Sequence, residues 1–402
     1  MPQALTHQMV AREAAAMLME ENFVGAQINT DREDEFGESV SGYKKGDTVR
    51  IKVPPVPVVY DGATFAAGGA AQSLNEQSVS LVVDTQKHTA LSFTAKEKKL
   101  DLSDFKERFL RPCMNSLIAV VNADLLLYMK NQAQNAVQLT ATPRVGFRTT
   151  ASTLDRALAP FDQRRMHISS ASNDALGEAN ATLFQPNKEL TDEFTKNRVG
   201  QFANWDFYNQ QSLPTHVVGA GAGYVIHGTP PVDGAALLPV ITGTGAISAG
   251  TKFTIANVLA THPLTGASNG QLRQFTVTAD YAGGAGNIAF APALNLTVAA
   301  GSGVGKVGNI NALPVGGAAV TLLANAASKQ SCIGFHRNAV AAAFPPLGVL
   351  ASCEGYTATV KGVSVRVMTF GNGLTDVEST RVDILYGKIA VRPQHIVTAI
   401  DA

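Results

Sequence analysis

Between Gly219 and Val320 the chain nearly runs out of charge. These 102 residues hold 19 of the 36 glycines and only five charged side chains: Asp233, Lys252, Arg273, Asp280 and Lys306. Such a stretch is either a flexible linker or a compact β unit with tight turns. Short β-prone runs at 239–242, 252–258 and 274–278 sit between turn residues. Phe253 with Ile255, and Phe275 with Val277, alternate as a half-buried strand requires. Pure disorder would not keep that alternation. The stretch therefore predicts a separate small all-β domain, residues 219–330, inserted into a chain of ordinary composition.

The flanking sequence is mixed α and β. Residues 3–22 form a helix with Leu5, Met9, Ala14, Met17 and Leu18 on one face. An acidic stretch with Asp31, Glu33, Asp34, Glu35 and Glu38 follows, as a solvated loop or as an arm that docks on a basic patch of a neighbour. Residues 47–60 alternate in part, and Pro54, Pro55 and Pro57 forbid a central strand there. A second extended run carries Val79, Leu81, Val83, Leu91 and Phe93. The two make a long hairpin that cannot bury both faces within its own subunit and so requires a partner surface.

Residues 103–136 carry the clearest helical signal. Ser103 caps a first helix, 104–110, and Pro112 suits the first turn of the next. Met114, Ile118, Val121, Leu125 and Tyr128 then form one apolar stripe, a core face and not a cofactor site. Residues 112–136 would span roughly 37 Å at 1.5 Å per residue. Residues 152–159 and 190–198 are helix-like, and the one tryptophan, Trp205, lies among aromatics in an anchoring cluster. After the insertion, 339–343 is a short helix candidate stopped by Pro345-Pro346. Val363, Val365 and Val367 alternate with Ser364, Arg366 and Met368, and 388–391 is the last strand.

Lys plus Arg equals Asp plus Glu, 32 each, so the formal net charge is zero. That balance argues against a protein whose main task is coating nucleic acid by counterion release. Charged residues are 16% of the chain, against ~25% in ordinary soluble proteins. Low self-repulsion favours association between copies. Cys113, Cys332 and Cys353 make an odd count, which fits reduced folding. No signal peptide and no membrane span are expected.

No catalytic, cofactor or metal motif is complete. The run 301–307 lacks one residue between its outer glycines, and Val307 stands where a phosphate loop needs Ser or Thr. The 219–223 glycines lack the third glycine of a dinucleotide fingerprint. The 266–270 run matches a nucleophile elbow by letters alone, without the buried strand and helix that chemistry requires. Cys332 and His336 are spaced i, i+4 with no second pair at zinc spacing. The doublets Arg164-Arg165 and Lys44-Lys45 are isolated.

The order of parts has a precedent, carried by 46–54 (GDTVRIKVP), 104–112 (DFKERFLRP), 197–208 (NRVGQFANWDFY), 212–216 (SLPTH), 333–339 (IGFHRNA) and 381–387 (RVDILYG) with Arg392-Pro393. Over nearly its whole length the chain resembles the major capsid protein family of P22-like tailed bacteriophages. That resemblance implies an α+β, HK97-type coat fold: an N-terminal arm (1–46), an extended hairpin loop (47–93), and a peripheral domain with its spine helix (94–136). Axial and peripheral parts follow (137–218 and 331–402), split by the inserted β domain. It implies hexamers and pentamers of one chain in a closed shell, assembled in the bacterial cytoplasm with a scaffolding protein and a portal protein. The shell would expand around double-stranded DNA contacted non-specifically, with no catalytic site and no membrane. Lys44, Lys45, Arg50, Lys52, Asp61, Glu76 and Trp205 are the candidates for contacts between subunits. The shell of a non-viral nanocompartment, or a Gly-rich surface binding module, are the alternatives.

Overall fold

The computed structural model describes residues 7–20, 23–30, 39–40, 43–44, 48–54, 56–57, 77–94, 110–139, 143–181, 200–217, 219–298, 306–323, 329–372 and 377–401. The expected helix at 104–110 apart from Leu110, the expected helix at 190–198, the run 301–305, and Lys45, Asp61 and Glu76 lie outside these residues. In chain order the elements begin with helix α1 (His7–Glu20) and strands β1 (Ser39–Val40), β2 (Tyr43–Lys44), β3 (Thr48–Val53) and β4 (Gln77–Thr94). Next come α2 (Arg111–Gln132), β5 (Asn135–Gln138), α3 (Pro143–Arg156), β6 (Arg164–Ile168) and α4 (Ser170–Ala181). Then follow β7 (Gln201–Phe202), β8 (Trp205–Asn209), β9 (Thr215–His216), β10 (Val225–Ile226), β11 (Leu237–Ile241) and β12 (Lys252–Thr261). After these are β13 (Ser268–Val277), β14 (Gly286–Ala291), β15 (Val320–Leu322), β16 (Lys329–His336) and β17 (Val340–Ala343). Last are β18 (Glu354–Val360), β19 (Val363–Asn372), β20 (Val377–Ala390) and β21 (Ile396–Ile400). The architecture is α+β with many strands and few helices. The chain divides into two compact units. One comprises Met1–Ile51, Ser78–Leu126 and Arg337–Val391, the other Lys52–Gln77, Leu127–His336 and Arg392–Ala402.

The first unit is built on a sheet of order β18-β19-β20-β4-β3, with β17 also paired to β20. The sequence pattern joined the extended runs of β3 and β4 only to each other; the sheet sets β4 between β3 and β20. Its side chains alternate with period two. Leu81 is buried and Val83, Thr85, Lys87 and Thr89 are half-buried, while Val82, Asp84, Gln86 and His88 are exposed. Helix α1 packs on β18 and β19 through Val10, Ala11, Ala14 and Met17. The buried stripe is therefore offset from the expected one: Val10 is inside and Met9 half-buried. In β19 both Val363/Val365/Val367 and the intervening Ser364 and Arg366 are buried, so the strand is enclosed on both faces.

Residues 340–343 correct the expected helix. They are extended as β17, all four buried, and pair with β20 from Val340↔Ala390 to Ala343↔Gly387. Alanine's helix preference is worth less than about 1 kcal/mol per residue, and buried pairing on β20 outweighs it. The run 388–391, expected as the last strand, is the end of β20 up to Ala390, with Val391 just beyond it.

Gly387 sits where β20 changes register against β4: Tyr386 pairs with Thr85, then Gly387 with Val83, leaving Asp84 as the extra residue of a bulge. A Cβ at Gly387 would fall on the Val82 carbonyl, which is backbone and cannot rotate away. Gly387→Ala is expected to destabilise the first unit by about 1–3 kcal/mol, read as a lower urea midpoint. An unchanged midpoint would refute the close approach.

Helix α2 carries the predicted stripe, with Met114, Ile118, Val121 and Leu125 buried and Tyr128 half-buried. It is long and apolar enough to cross a bilayer by length and composition, yet Met114, Val121, Leu125, Leu126 and Met129 are fully buried inside the protein. Asn122 interrupts the stripe without an unmet polar group, because its Oδ1 accepts from Val24 N at 2.9 Å.

In the second unit one sheet runs β5-β21-β16-β6-β8-β7, with β9 also beside β16. Its core joins Phe147, Leu154, Met166, Trp205, Phe207, Val397 and Ala399. Gly334 at the middle of β16 is small because a Cβ there would meet Met166 Cε at 2.6 Å and Trp205 at 2.8 Å. Helix α3 starts at Pro143, earlier than expected, and buries Phe147, Ala151 and Leu154 at i, i+4, i+7. Helix α4 has few apolar residues to announce it; Ser169 Oγ caps it by accepting from Ser172 N at 3.0 Å. The final strand β21 was not expected. All five of its residues are buried, between parallel β5 and antiparallel β16.

The Gly-rich stretch forms a second sheet in this unit, of order β10-β11-β14-β13-β12-β15. Phe253, Phe275 and Phe290 pack with ring centroids 5.3–5.9 Å apart, surrounded by Tyr224, Ile226, Leu238, Ile255, Val277 and Ile288. Glycine is needed where loops touch. At Gly283 φ is +104°, and a Cβ would meet the Gly245 carbonyl at 2.6 Å.

Candidate assembly surface

Arg50 and Lys52 are exposed on β3, on either side of the buried Ile51. Strand β3 ends its sheet, so its outer edge is unpaired among the described residues, and charged side chains there guard against uncontrolled strand addition. Lys44 closes β2. Trp205 behaves differently from the other contact candidates: it is fully buried in its own subunit and presents no surface to a neighbour. Aromatic neighbours in sequence mark a cluster but do not say whether it faces in or out.

The charged groups that do come together serve the interior. On facing positions of β19 and β20, Arg366 Nε and Nη2 donate to Asp383 Oδ2 at 3.2 and 2.9 Å. Arg381 Nε and Gln86 Nε2 donate to the other oxygen at 2.7 and 3.3 Å. Asp124 accepts from Lys388 and from Tyr386, the latter at 2.6 Å. Burial works to raise the Asp124 pKa, but those hydrogen bonds and the charges of Lys388 and Lys87 outweigh it and hold the carboxyl below its usual value. Arg164, inside the second unit, pairs with Asp155 at 2.7 Å. Most of these pairings bridge separate elements of the chain, and no local pattern announces them.

Ser169 and Ser172 donate to Asp401, and Cys332 Sγ lies 3.4 Å from Ser172 Oγ, a grouping that superficially suggests a nucleophile. Burial and the Asp401 charge push the Cys332 thiol up to about 12, so it stays protonated and unreactive. The residues 262–267 form a turn closed on His262 Nδ1, between β12 and β13 and not between a strand and a helix. Among the described residues no group of three or more His, Cys, Asp or Glu is placed to hold a metal ion.

The Gly-rich sheet is fastened to the chain that leaves α2. Gln274 accepts from Ala136 N at 2.7 Å and donates to Ala136 O at 3.0 Å, as a strand neighbour would. Thr276 Oγ1 donates to Ala133 O at 2.6 Å. Lys252 Nζ donates to Lys130 O at 3.1 Å, at the carbonyl-rich end of α2, where a cation is favoured. Burial, then the nearby Lys130, presses the Lys252 pKa well below its usual value. Two of the five charges in the low-charge stretch, Asp233 and Lys306, pair with each other at 2.8 Å.

Residues 229–399, from the Gly-rich sheet through the closing strands, match the family model described as P22 coat protein, gene protein 5. Over these residues the chain is similar to the P22 coat protein family. The match takes in most of the charge-poor stretch and the strands after it. A search of curated proteins returned no match. Solved structures with a similar fold include that of Mycobacterium phage Che8, at 12% identity, covering 93% of this chain and 89% of that one with a TM-score of 0.48. The capsid of cyanophage P-SCSP1u is similar at 10% identity, 91% of each chain and a TM-score of 0.45. The mature capsid of bacteriophage PhiM1 is similar at 10% identity, 91% of this chain, 90% of that one and a TM-score of 0.43.

Proposed function

We propose that this chain is the major capsid protein of a tailed bacteriophage. Its copies assemble as hexamers and pentamers into an icosahedral shell enclosing double-stranded DNA, which the inner surface contacts without sequence preference. The observation that carries this is the family match over residues 229–399. The fold is then HK97-type, with α2 as the spine helix, β3 and β4 as the base of the extended loop, and residues 219–330 as the inserted domain. Assembly takes place in the bacterial cytoplasm through a scaffolded procapsid with a portal at one vertex, and the shell expands as DNA enters by rigid-body and hinge movement of subunits. The exposed Arg50 and Lys52, with Lys44, Lys45, Asp61 and Glu76, meet neighbouring subunits. No catalytic role is assigned.

Electron microscopy of the full chain, expressed alone and with the product of its neighbouring gene, tests this. Uniform closed shells, with or without that product, are the expected result. A dispersed monomer or dimer under both conditions, with no shells or sheets, would overturn it.

A further inference from the structure

Within the second unit, β5 and α3 on one side and the β12–β13 hairpin on the other enclose a cleft of about 270 Å³. Its lining includes Arg156, Arg273, Thr149, Thr153, Asn135 and Gln274, and contains no Asp or Glu. Two arginines thus line one cleft with no acidic residue beside them in its lining.

Neither arginine has a counter-ion among the described residues. Arg273 Nη2 donates to Gln134 Oε1 at 3.0 Å, while its Nε–H is shut off from water and has no partner. Burial alone lowers its pKa to about 10, with no acid opposing the shift. Arg156 donates to the neutral Thr153 Oγ1 at 3.2 Å. The acids nearest in sequence are engaged elsewhere. Asp155 holds Arg164 at 2.7 Å, Asp233 holds Lys306 at 2.8 Å, and Asp280 accepts from Ala249 N at 2.7 Å. The Ala157 carbonyl at the end of α3 has His395 Nε2 3.1 Å away, so this main-chain acceptor in the lining is occupied.

A desolvated cation without an anion is costly. The planar donor fork of arginine matches tetrahedral oxyanions bidentately, and such bonds are about twice as strong as neutral ones. We propose that this cleft binds a small phosphate-class oxyanion, held by Arg156 and Arg273. The anion bridges α3 to the Gly-rich sheet and supplies the negative charge that this part of the chain lacks. The site stands on its own geometry and does not depend on the shell assignment.

The test is calorimetric titration of the full-length chain with inorganic phosphate, against sodium chloride at matched ionic strength. One saturable phosphate site per chain is expected. Arg156→Gln, at the half-exposed end of α3, should keep the fold by circular dichroism and weaken binding by about tenfold or more, the value of a charge-assisted hydrogen bond. Arg273→Gln should abolish binding where it folds; where it does not fold, Arg156→Gln decides. Absence of saturable phosphate binding by the unaltered chain, or unchanged affinity in a folded variant of either arginine, would overturn the proposal.

Discussion

Asp383→Ala is expected to cost the first unit about 3–5 kcal/mol, the penalty for breaking a buried ion pair by removing one partner. Asp383 is 0% exposed and takes donors from Arg366, Arg381 and Gln86. Arg366 is also buried, and its remaining bond, Nη1 to Gly348 O at 2.7 Å, goes to a neutral carbonyl. Without Asp383 its charge stays in the interior uncompensated. Two further variants separate charge from packing. Asp383→Asn keeps the shape and a smaller set of hydrogen bonds, so its loss should be intermediate. Pairing Asp383→Leu with Arg366→Met removes both charges and should recover much of the stability, because the desolvation cost goes with them. The exposed pair of Asp233 (41%) and Lys306 (46%) is the contrast; Asp233→Ala should cost only up to about 1 kcal/mol. Urea denaturation of unassembled chain measures all four. A loss below about 1 kcal/mol for Asp383→Ala would contradict the burial on which the expectation rests.

Mild acid should destabilise the second unit steeply. Three of its histidines are buried and have depressed pKa values. His167 falls to about 3, through burial and then Arg165. His216 falls to about 4, through burial and then Lys130 and Lys252. His395 falls to about 4, where burial and the charges of Arg392, His336 and Arg164 outweigh the Ala157 hydrogen bond. In the unfolded chain each titrates near 6.5. Below that pH the unfolded chain takes up protons that the folded chain refuses, so stability is complete above about pH 6.5 and falls as pH drops towards 4. At pH 5 each histidine should remove about 2 kcal/mol. His336 is shifted in the same direction, by burial above all. The Asp124 carboxyl, held below its usual value in the first unit, loses its contribution only in stronger acid, as pH falls through its folded pKa. Thermal melts between pH 7.5 and 5 should show the fall, and His395→Gln should flatten it by about a quarter to a third, since one of these protons is removed. An unaltered pH slope in that variant would show that these histidines are not the cause.

Elements whose signal is local are legible in the sequence alone. The α2 stripe needs only a 3.6-residue period, and Met114, Ile118, Val121 and Leu125 lie on one face wherever the helix packs. The alternation in β4 and in β12 and β13 is likewise written into neighbouring residues. The end of β3 at Val53 follows from Pro54, which has no N–H to donate.

What stays hidden depends on residues distant in the chain. The 340–343 segment is a strand because β20 runs beside it, although its composition is that of a helix. Arg366 looks like the outward residue of an alternating strand, and only Asp383 on β20 makes its burial tolerable. Trp205 turns inward because Gly334, 129 positions later, leaves space for its ring. The Arg156–Arg273 cleft is invisible to any motif, since its two arginines line one cleft only when the β12–β13 hairpin lies against α3 and β5. The helices and strands with strong periodicity and the charge-poor β unit can be read from the chain alone, because these rest on short-range sterics and on composition. The tertiary structure alone decided which polar groups are buried and what satisfies them, because desolvation and its compensation are set by neighbours that the chain brings together only on folding.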